Sequence, residues 1–151
     1  MSDRFMDEAV KEAYDGIGRG DGGPFGCVIV RDGVIVGRGH NRVVSGKDPT
    51  LHGEICAIRD ACAALDTFDL SGCELYTTGE PCPMCLGAIL WAGIDRVKYG
   101  CGRADAEKIG FRDSAFYDAI EGGRLPLEQV GAEECRRLFS DYAAIKEKTM
   151  Y

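Results

Sequence analysis

The chain has 151 residues, 45% hydrophobic and 28% charged, with 18 Lys and Arg against 25 Asp and Glu and a net charge of −7. That size and balance suit one globular domain, 1–151, with its own core, and exclude a disordered or collagen-like chain. No apolar run approaches the ~18 residues of a membrane span, and the acidic excess repels a polyanion, so a small molecule is a better partner than nucleic acid.

The opening Met-Ser-Asp-Arg-Phe-Met-Asp-Glu is charged and lacks the apolar core of a signal peptide, which implies a cytoplasmic location and reduced cysteines. Met6, Ala9, Val10, Ala13 and Ile17 then recur at helical spacing behind a Ser2 or Asp3 cap, and the glycine-rich run 16–23 ends that helix. The β-branched runs 27–30 and 34–36 flank Asp32-Gly33, the turn pair of a tight hairpin. A polar loop leads through Lys47-Asp48-Pro49 to a helix from about Gly53, with Ile55, Ile58, Cys62 and Leu65 on one stripe.

Residues 75–78 have strand propensity. Pro83 fits the first turn of a helix whose apolar run 86–91 reads as buried. A short strand follows at 97–99, then short helices to about Ile120, then a weak strand at 125–130 that Pro126 confines to an edge or bulge. A last amphipathic helix, Glu133 to Lys148, carries Cys135, Leu138, Phe139, Tyr142 and Ile145 on one stripe. The pattern is a helix/sheet sandwich with its chemistry at two helix N-termini.

Two segments carry that chemistry: Leu51-His-Gly-Glu54 and Pro81-Cys-Pro-Met-Cys85. Alone, a Cys-x-x-Cys is equally half of a four-cysteine structural zinc site or a redox dithiol. No second Cys-x-x-Cys completes a structural site, and Cys27, Cys56, Cys62, Cys73, Cys101 and Cys135 read as small core residues. At a helix start both sulfurs of Cys82 and Cys85 lie on one side, where the free N–H groups and the helix dipole favour thiolates. With the imidazole of His52 they make three ligands for one zinc ion and leave the fourth tetrahedral position for water, the arrangement of a catalytic zinc. Such a metal lowers the pKa of water from about 15.7 towards about 7. Glu54, two residues past the ligand, is placed to carry the water proton to a ring nitrogen and a leaving amine. The opposing possibility is a non-catalytic zinc module, which a fourth protein ligand such as His40 would mark.

This His-x-Glu and Pro-Cys-x-x-Cys pair resembles the cytidine deaminase superfamily. Within it, Gly22-Gly-Pro-Phe-Gly26, Asp48-Pro-Thr50, Glu80 to Ala88 and Ile109-Gly-Phe-Arg-Asp-Ser114 resemble the bacterial guanine deaminases. The resemblance implies an α/β fold, a three-layer α/β/α sandwich on a mixed five-stranded sheet. It also implies hydrolytic removal of a nucleobase amino group in a homodimer, in some relatives with the C-terminal segment exchanged between protomers. By match, Asn41 and Asp113 contact the purine, Phe25 packs on it and Tyr151 closes the pocket; Trp91, on its apolar helix, is either a stacking wall or part of a core or dimer face. A carboxylate at 113 can accept from the ring N–H and the 2-amino group of guanine. Arg112 stands where an acidic residue often precedes that Asp, and would offset its charge. Gly79 replaces a bulkier residue, and Gly53 the commoner Ala. The segments Gly37 to Asn41, Leu51 to Ile55 and Tyr76 to Thr78 also resemble fungal-type cytosine deaminases, which makes cytosine the alternative substrate. Guanosine, and the adenosine of a tRNA read by tRNA deaminases, come after it.

Overall fold

The computed structural model describes residues 3–123 and 125–150. Helix α1 (Arg4–Arg19) starts on the Asp3 carboxylate, which accepts the Phe5 and Met6 N–H groups, and stops at Gly20 in the left-handed conformation. Of the two cap candidates, Ser2 lies outside the described residues. Strands β1 (Gly26–Arg31) and β2 (Val34–His40) form the expected hairpin, and Asp32 and Gly33 take φ of 50° and 75°, the two successive positive values that a primed turn demands. The remaining elements are α2 (Val43–Gly46), α3 (Gly53–Leu65), β3 (Cys73–Gly79), α4 (Pro83–Trp91), β4 (Arg96–Cys101), α5 (Arg103–Lys108), α6 (Asp113–Glu121) and α7 (Ala132–Ala143).

The sheet is mixed, in the order β2-β1-β3-β4. β1 is antiparallel to both neighbours and β3 is parallel to β4, so α4 must cross over between the last two strands. Because β1 is internal, its successive side chains enter two different cores. Cys27 and Ile29 meet Ala57, Ala61, Leu75 and Ile89 on the side of α3 and α4, while Val28 and Val30 meet Ala9 and Tyr76 beneath α1. That is why the run reads as continuously apolar instead of alternating.

Helix α3 approaches the sheet with almost no gap. A Cβ on Gly37 would stand 2.6 Å from the Ala57 carbonyl oxygen, and one on Gly39 only 2.4 Å from the Ala57 nitrogen. Glycines on β2 and alanines on α3 therefore let backbone meet backbone, and this fixes where the first turn of α3 falls.

Several expectations need correction. The sheet has four strands among the described residues, not five: 125–130 is irregular, and Leu125, Leu127 and Val130 are largely exposed. Pro126 supplies no N–H for a ladder, and no neighbouring strand compensates. Helix α4 is not a buried helix, since Leu90 and Trp91 are exposed and it buries only Cys85 and Ile89. The Ile55, Ile58, Cys62 and Leu65 stripe of α3 is half-buried, with Ile58, Cys62 and Leu65 packed against the core, and the fully buried contacts of the helix come from Ala57 and Ala61 beside it. Cys101 and Cys135 are exposed and so are not core residues, Cys56 and Cys62 are only half-buried, and Cys27 and Cys73 are buried. The last helix ends at Ala143, short of Lys148.

Candidate active site

Two helix N-termini meet at one end of the sheet. His52 is the N-cap residue of α3 and Cys82 that of α4. Both have extended backbone and neither side chain caps its own helix, which leaves the imidazole and the thiol available to each other. Pro83 occupies the first turn of α4, where its missing N–H costs nothing, and Cys85 follows one position past Met84.

The ligand atoms of His52, Cys82 and Cys85 lie within 4.8 Å of one another, with Cys82 Sγ 3.6 Å from His52 Nδ1. A tetrahedral centre with Zn–S of ~2.3 Å and Zn–N of ~2.05 Å sets sulfur and nitrogen ~3.6 Å apart, so the donor set fits zinc in chemistry and in spacing. The Cys85 thiol and His52 donate towards the Cys82 sulfur and hold its pKa down to about 4. Cys85, which donates to Cys82 and is buried, is pushed in the opposite direction. His52 is raised by its hydrogen bond to Cys82. The three donors thus converge on one point, a setting made for a cation. His40, the other histidine, is not in this group: its Nε2 lies 2.8 Å from Asp21 Oδ2, so no fourth protein ligand closes the site among the described residues.

Glu54, in the first turn of α3, is 5% exposed. Thr77 Oγ1 donates to its Oε1 at 3.2 Å and Cys85 Sγ to its Oε2 at 3.4 Å. Burial raises its pKa, the direction that lets a carboxylate take up and release a proton nearer neutrality.

A pocket of about 440 Å³ opens over this end of the sheet and is lined by His52, Glu54, Cys82, Phe25, Asn41 and Asp113, together with Glu80, Phe111, Arg112 and Phe116. Its volume suits a small molecule. Asn41 is buried, and its Oδ1 accepts the Val43 N–H at 3.1 Å. A backbone donor can face only the oxygen of the amide, so the Nδ2 donors are left for other partners. Phe25 meets Phe111 edge-on at 4.7 Å. A Cβ on Gly79 would come within 3.1 Å of the Phe25 ring, and one on Gly53 within 3.0 Å of the Phe25 carbonyl. Both glycines therefore make room for this aromatic wall.

Asp113, half-buried at the start of α6, has its pKa raised by burial and by the Cys82 and Glu80 charges. The expected offset by Arg112 does not occur. Among the described residues the charge that lowers Asp113 is His52, while the Arg112 guanidinium lies 5.3 Å over the Phe116 ring. Trp91 is not brought to the pocket: it stands at the far end of α4 in a separate groove with Ile55, Ile58, Cys62 and Phe68. Tyr151 lies outside the described residues.

Sequence reasoning missed Thr77, Glu80 and Tyr117. The Tyr117 hydroxyl donates to the Pro81 carbonyl at 3.1 Å, and Arg103 bridges its ring and Glu80. This clamp holds α6 against the Cys82 turn. The alternation of β3 could have flagged Thr77, because the side chain two residues from Leu75 shares its face. Nothing in the sequence could have paired Tyr117 with Pro81.

Two helix N-termini bearing His-x-Glu and Cys-x-x-Cys over a mixed sheet define a class. The model of the cytidine and deoxycytidylate deaminase zinc-binding region matches residues 1–101, and the chain belongs to that family of zinc-dependent hydrolytic enzymes. It is 44% identical over 151 residues to the guanine deaminase of Bacillus subtilis, covering 97% of each chain. The X-ray structure of that enzyme superposes with a TM-score of 0.92 at 43% identity, over 100% of this chain and 99% of that one. The guanine deaminase of Nitrosomonas europaea gives a TM-score of 0.69 at 35% identity over 75% and 66% of the two chains. A tRNA-specific adenosine deaminase of Aquifex aeolicus is 44% identical over 141 residues, 91% of each chain.

Proposed function

We infer that this protein is a zinc-dependent guanine deaminase, converting guanine and water to xanthine and ammonia. The observation that carries the substrate is the placement of Glu54 and Asp113 in one pocket with the metal-ligand trio, on a chain whose likeness to the B. subtilis guanine deaminase runs nearly end to end.

The chemistry of the base explains why both carboxylates are needed. In guanine the amino-bearing carbon C2 lies between N1–H, a donor, and N3, an acceptor. Asp113 accepts from N1–H and the 2-amino group and so presents C2 to the metal. In cytosine the amino-bearing carbon lies between a ring acceptor and a C–H, and Asp113 would have no ring N–H beside that carbon to bind.

Bound to His52, Cys82 and Cys85, zinc supplies the Lewis acidity that makes water nucleophilic at neutral pH. Glu54 takes the proton of the attacking water, passes it to N3, and delivers the next one to the departing amine. Thr77, donating to Oε1, keeps the Glu54 carboxylate aimed while the other oxygen moves protons. Asn41 donates through Nδ2 to an acceptor on the purine, and Phe25 and Phe111 cover its face. Purified zinc-loaded protein should form xanthine and ammonia from guanine in equal amounts, and chelation should abolish both; ammonia without xanthine would refute the reading.

We further propose a homodimer with exchanged C-terminal segments. Helix α7 buries none of its residues, and Leu138 and Phe139 are 64% and 75% exposed. Beside His52 an apolar cleft of about 580 Å³, lined by Met84, Phe116, Ile120 and Leu127, is suited to receive such a face. The groove containing Trp91 is a second apolar contact surface. Residues 1–151 then act as one deaminase domain per protomer. The ligand thiols bind metal only when reduced, which suits the cytoplasm. Among the described residues no helix is long and apolar enough to cross a membrane.

A further inference from the structure

His40 has no part in the chemistry above, yet its surroundings are more constrained than those of any ordinary strand-end residue. Its side chain is 12% exposed. Nε2 lies 2.8 Å from Asp21 Oδ2 and Nδ1 3.4 Å from Glu12 Oε2. The ring packs where α1 carries Gly16, at which a Cβ would stand 2.5 Å from His40 Cδ2. Arg38, from the same strand, pairs with Glu8 and Glu12 just above, and Arg42 contributes to the positive field at Asp21.

What His40 grips leads directly to the pocket. The Asp21 carbonyl accepts the Val44 and Ser45 N–H groups at 3.0 and 3.1 Å, so α2 is seated on Asp21. Val43, the first residue of α2, holds Asn41 Oδ1, and the Asn41 N–H donates to the Phe25 carbonyl at 2.8 Å. Segment 21–23 is pressed so closely on this amide that a Cβ on Gly22 would fall 2.1 Å from Asn41 Oδ1. Helix α2 is only four residues long and cannot hold its own position, since an isolated turn is unfavourable without outside contacts.

We propose that His40 is a positioning residue for purine recognition: by tying Asp21 to Glu12 of α1 it fixes the 21–25 loop and α2, and through them the orientation of the Asn41 amide. The proposal rests on the assignment of Asn41 to the purine. His40 touches no reacting atom, so its loss acts on the binding of guanine and not on the proton transfers of Glu54.

The test is steady-state kinetics on the zinc-loaded enzyme with guanine, using His40→Leu, His40→Gln, Asp21→Ala and Asn41→Ala, together with zinc content and thermal midpoint. His40→Leu should raise KM about tenfold, with kcat within about twofold and zinc unchanged, the size expected when a recognition group drifts by a fraction of an ångström. His40→Gln keeps a donor for Asp21 and should recover most of the loss. Asp21→Ala breaks the same link from the other side, should reproduce the KM increase, and stands in if His40→Leu does not fold. In the Asn41→Ala background, His40→Leu should add nothing to KM. An unchanged KM in Asn41→Ala alone would overturn the assignment of Asn41. A raised KM there, with His40→Leu either silent or fully additive, would leave that assignment standing and overturn the role of His40. A purely structural role would lower the thermal midpoint and leave KM in place.

Discussion

Replacing Glu54 by Gln separates the two consequences of burying a carboxylate beside a metal. The side chain is 5% exposed, and burial raises its pKa above the ordinary 4.5. The folded state therefore holds the Glu54 proton more tightly than the unfolded state does. The contribution of this group to stability falls as pH rises from 4.5 to the raised folded value and stays lost above it. Gln removes that cost, and its carbonyl can still accept from Thr77 as Oε1 does at 3.2 Å. The metal-free variant should be more stable than wild type at neutral pH by about 0.5–2 kcal/mol, read as a higher thermal midpoint by calorimetry. Turnover should fall by about 10²–10⁴-fold, the usual worth of a general acid–base group, followed as loss of guanine absorbance. Zinc content should be unchanged, because all three ligands remain. Turnover within tenfold of wild type, or loss of zinc, would refute the role of Glu54; a lower thermal midpoint would refute the cost assigned to its burial.

Asp113→Ala should raise KM for guanine by about 10²-fold, since two hydrogen bonds to a charged acceptor are lost, and an unchanged KM would remove Asp113 from recognition. Gly39→Ala should destabilise the protein by about 1–3 kcal/mol through overpacking, because its Cβ would fall 2.4 Å from the Ala57 nitrogen; an unshifted denaturation midpoint would contradict the close approach of α3. Trp91→Glu places a charge in the apolar groove and should shift the protein towards monomer in light scattering, whereas an undisturbed dimer would move the interface elsewhere.

Where local physics dictates structure, the sequence was legible. Asp32-Gly33 announced a turn with two positive φ values, and the β-branched run at 27–30 announced a strand, whose place between two cores came only with the packing of α1 and α3. His52, Glu54, Cys82 and Cys85 were recognisable because a metal and its base need those residue types at those spacings. What was hidden depends on contacts distant in sequence. Trp91 looked equally like a pocket wall because the direction in which α4 points is set by its packing on Ile89 and Cys85, not by its own composition. The fifth strand failed for want of a neighbour, which hydrophobicity at Leu125 and Leu127 could not reveal. Gly53 and Gly79 looked like departures from a family pattern, and the Phe25 backbone and ring account for both.

The placement of Glu54 and Asp113 in one pocket with the zinc ligands marks guanine as the substrate. The most direct test is ammonia release by the zinc-loaded protein from guanine, guanosine, cytosine, cytidine and adenine in parallel, with Glu54→Gln as the blank. Release is expected from guanine, with kcat/KM at least about 10³-fold above the other four, as where buried hydrogen-bonding groups would otherwise be left unpaired. Comparable or faster release from cytosine or adenine would contradict that assignment.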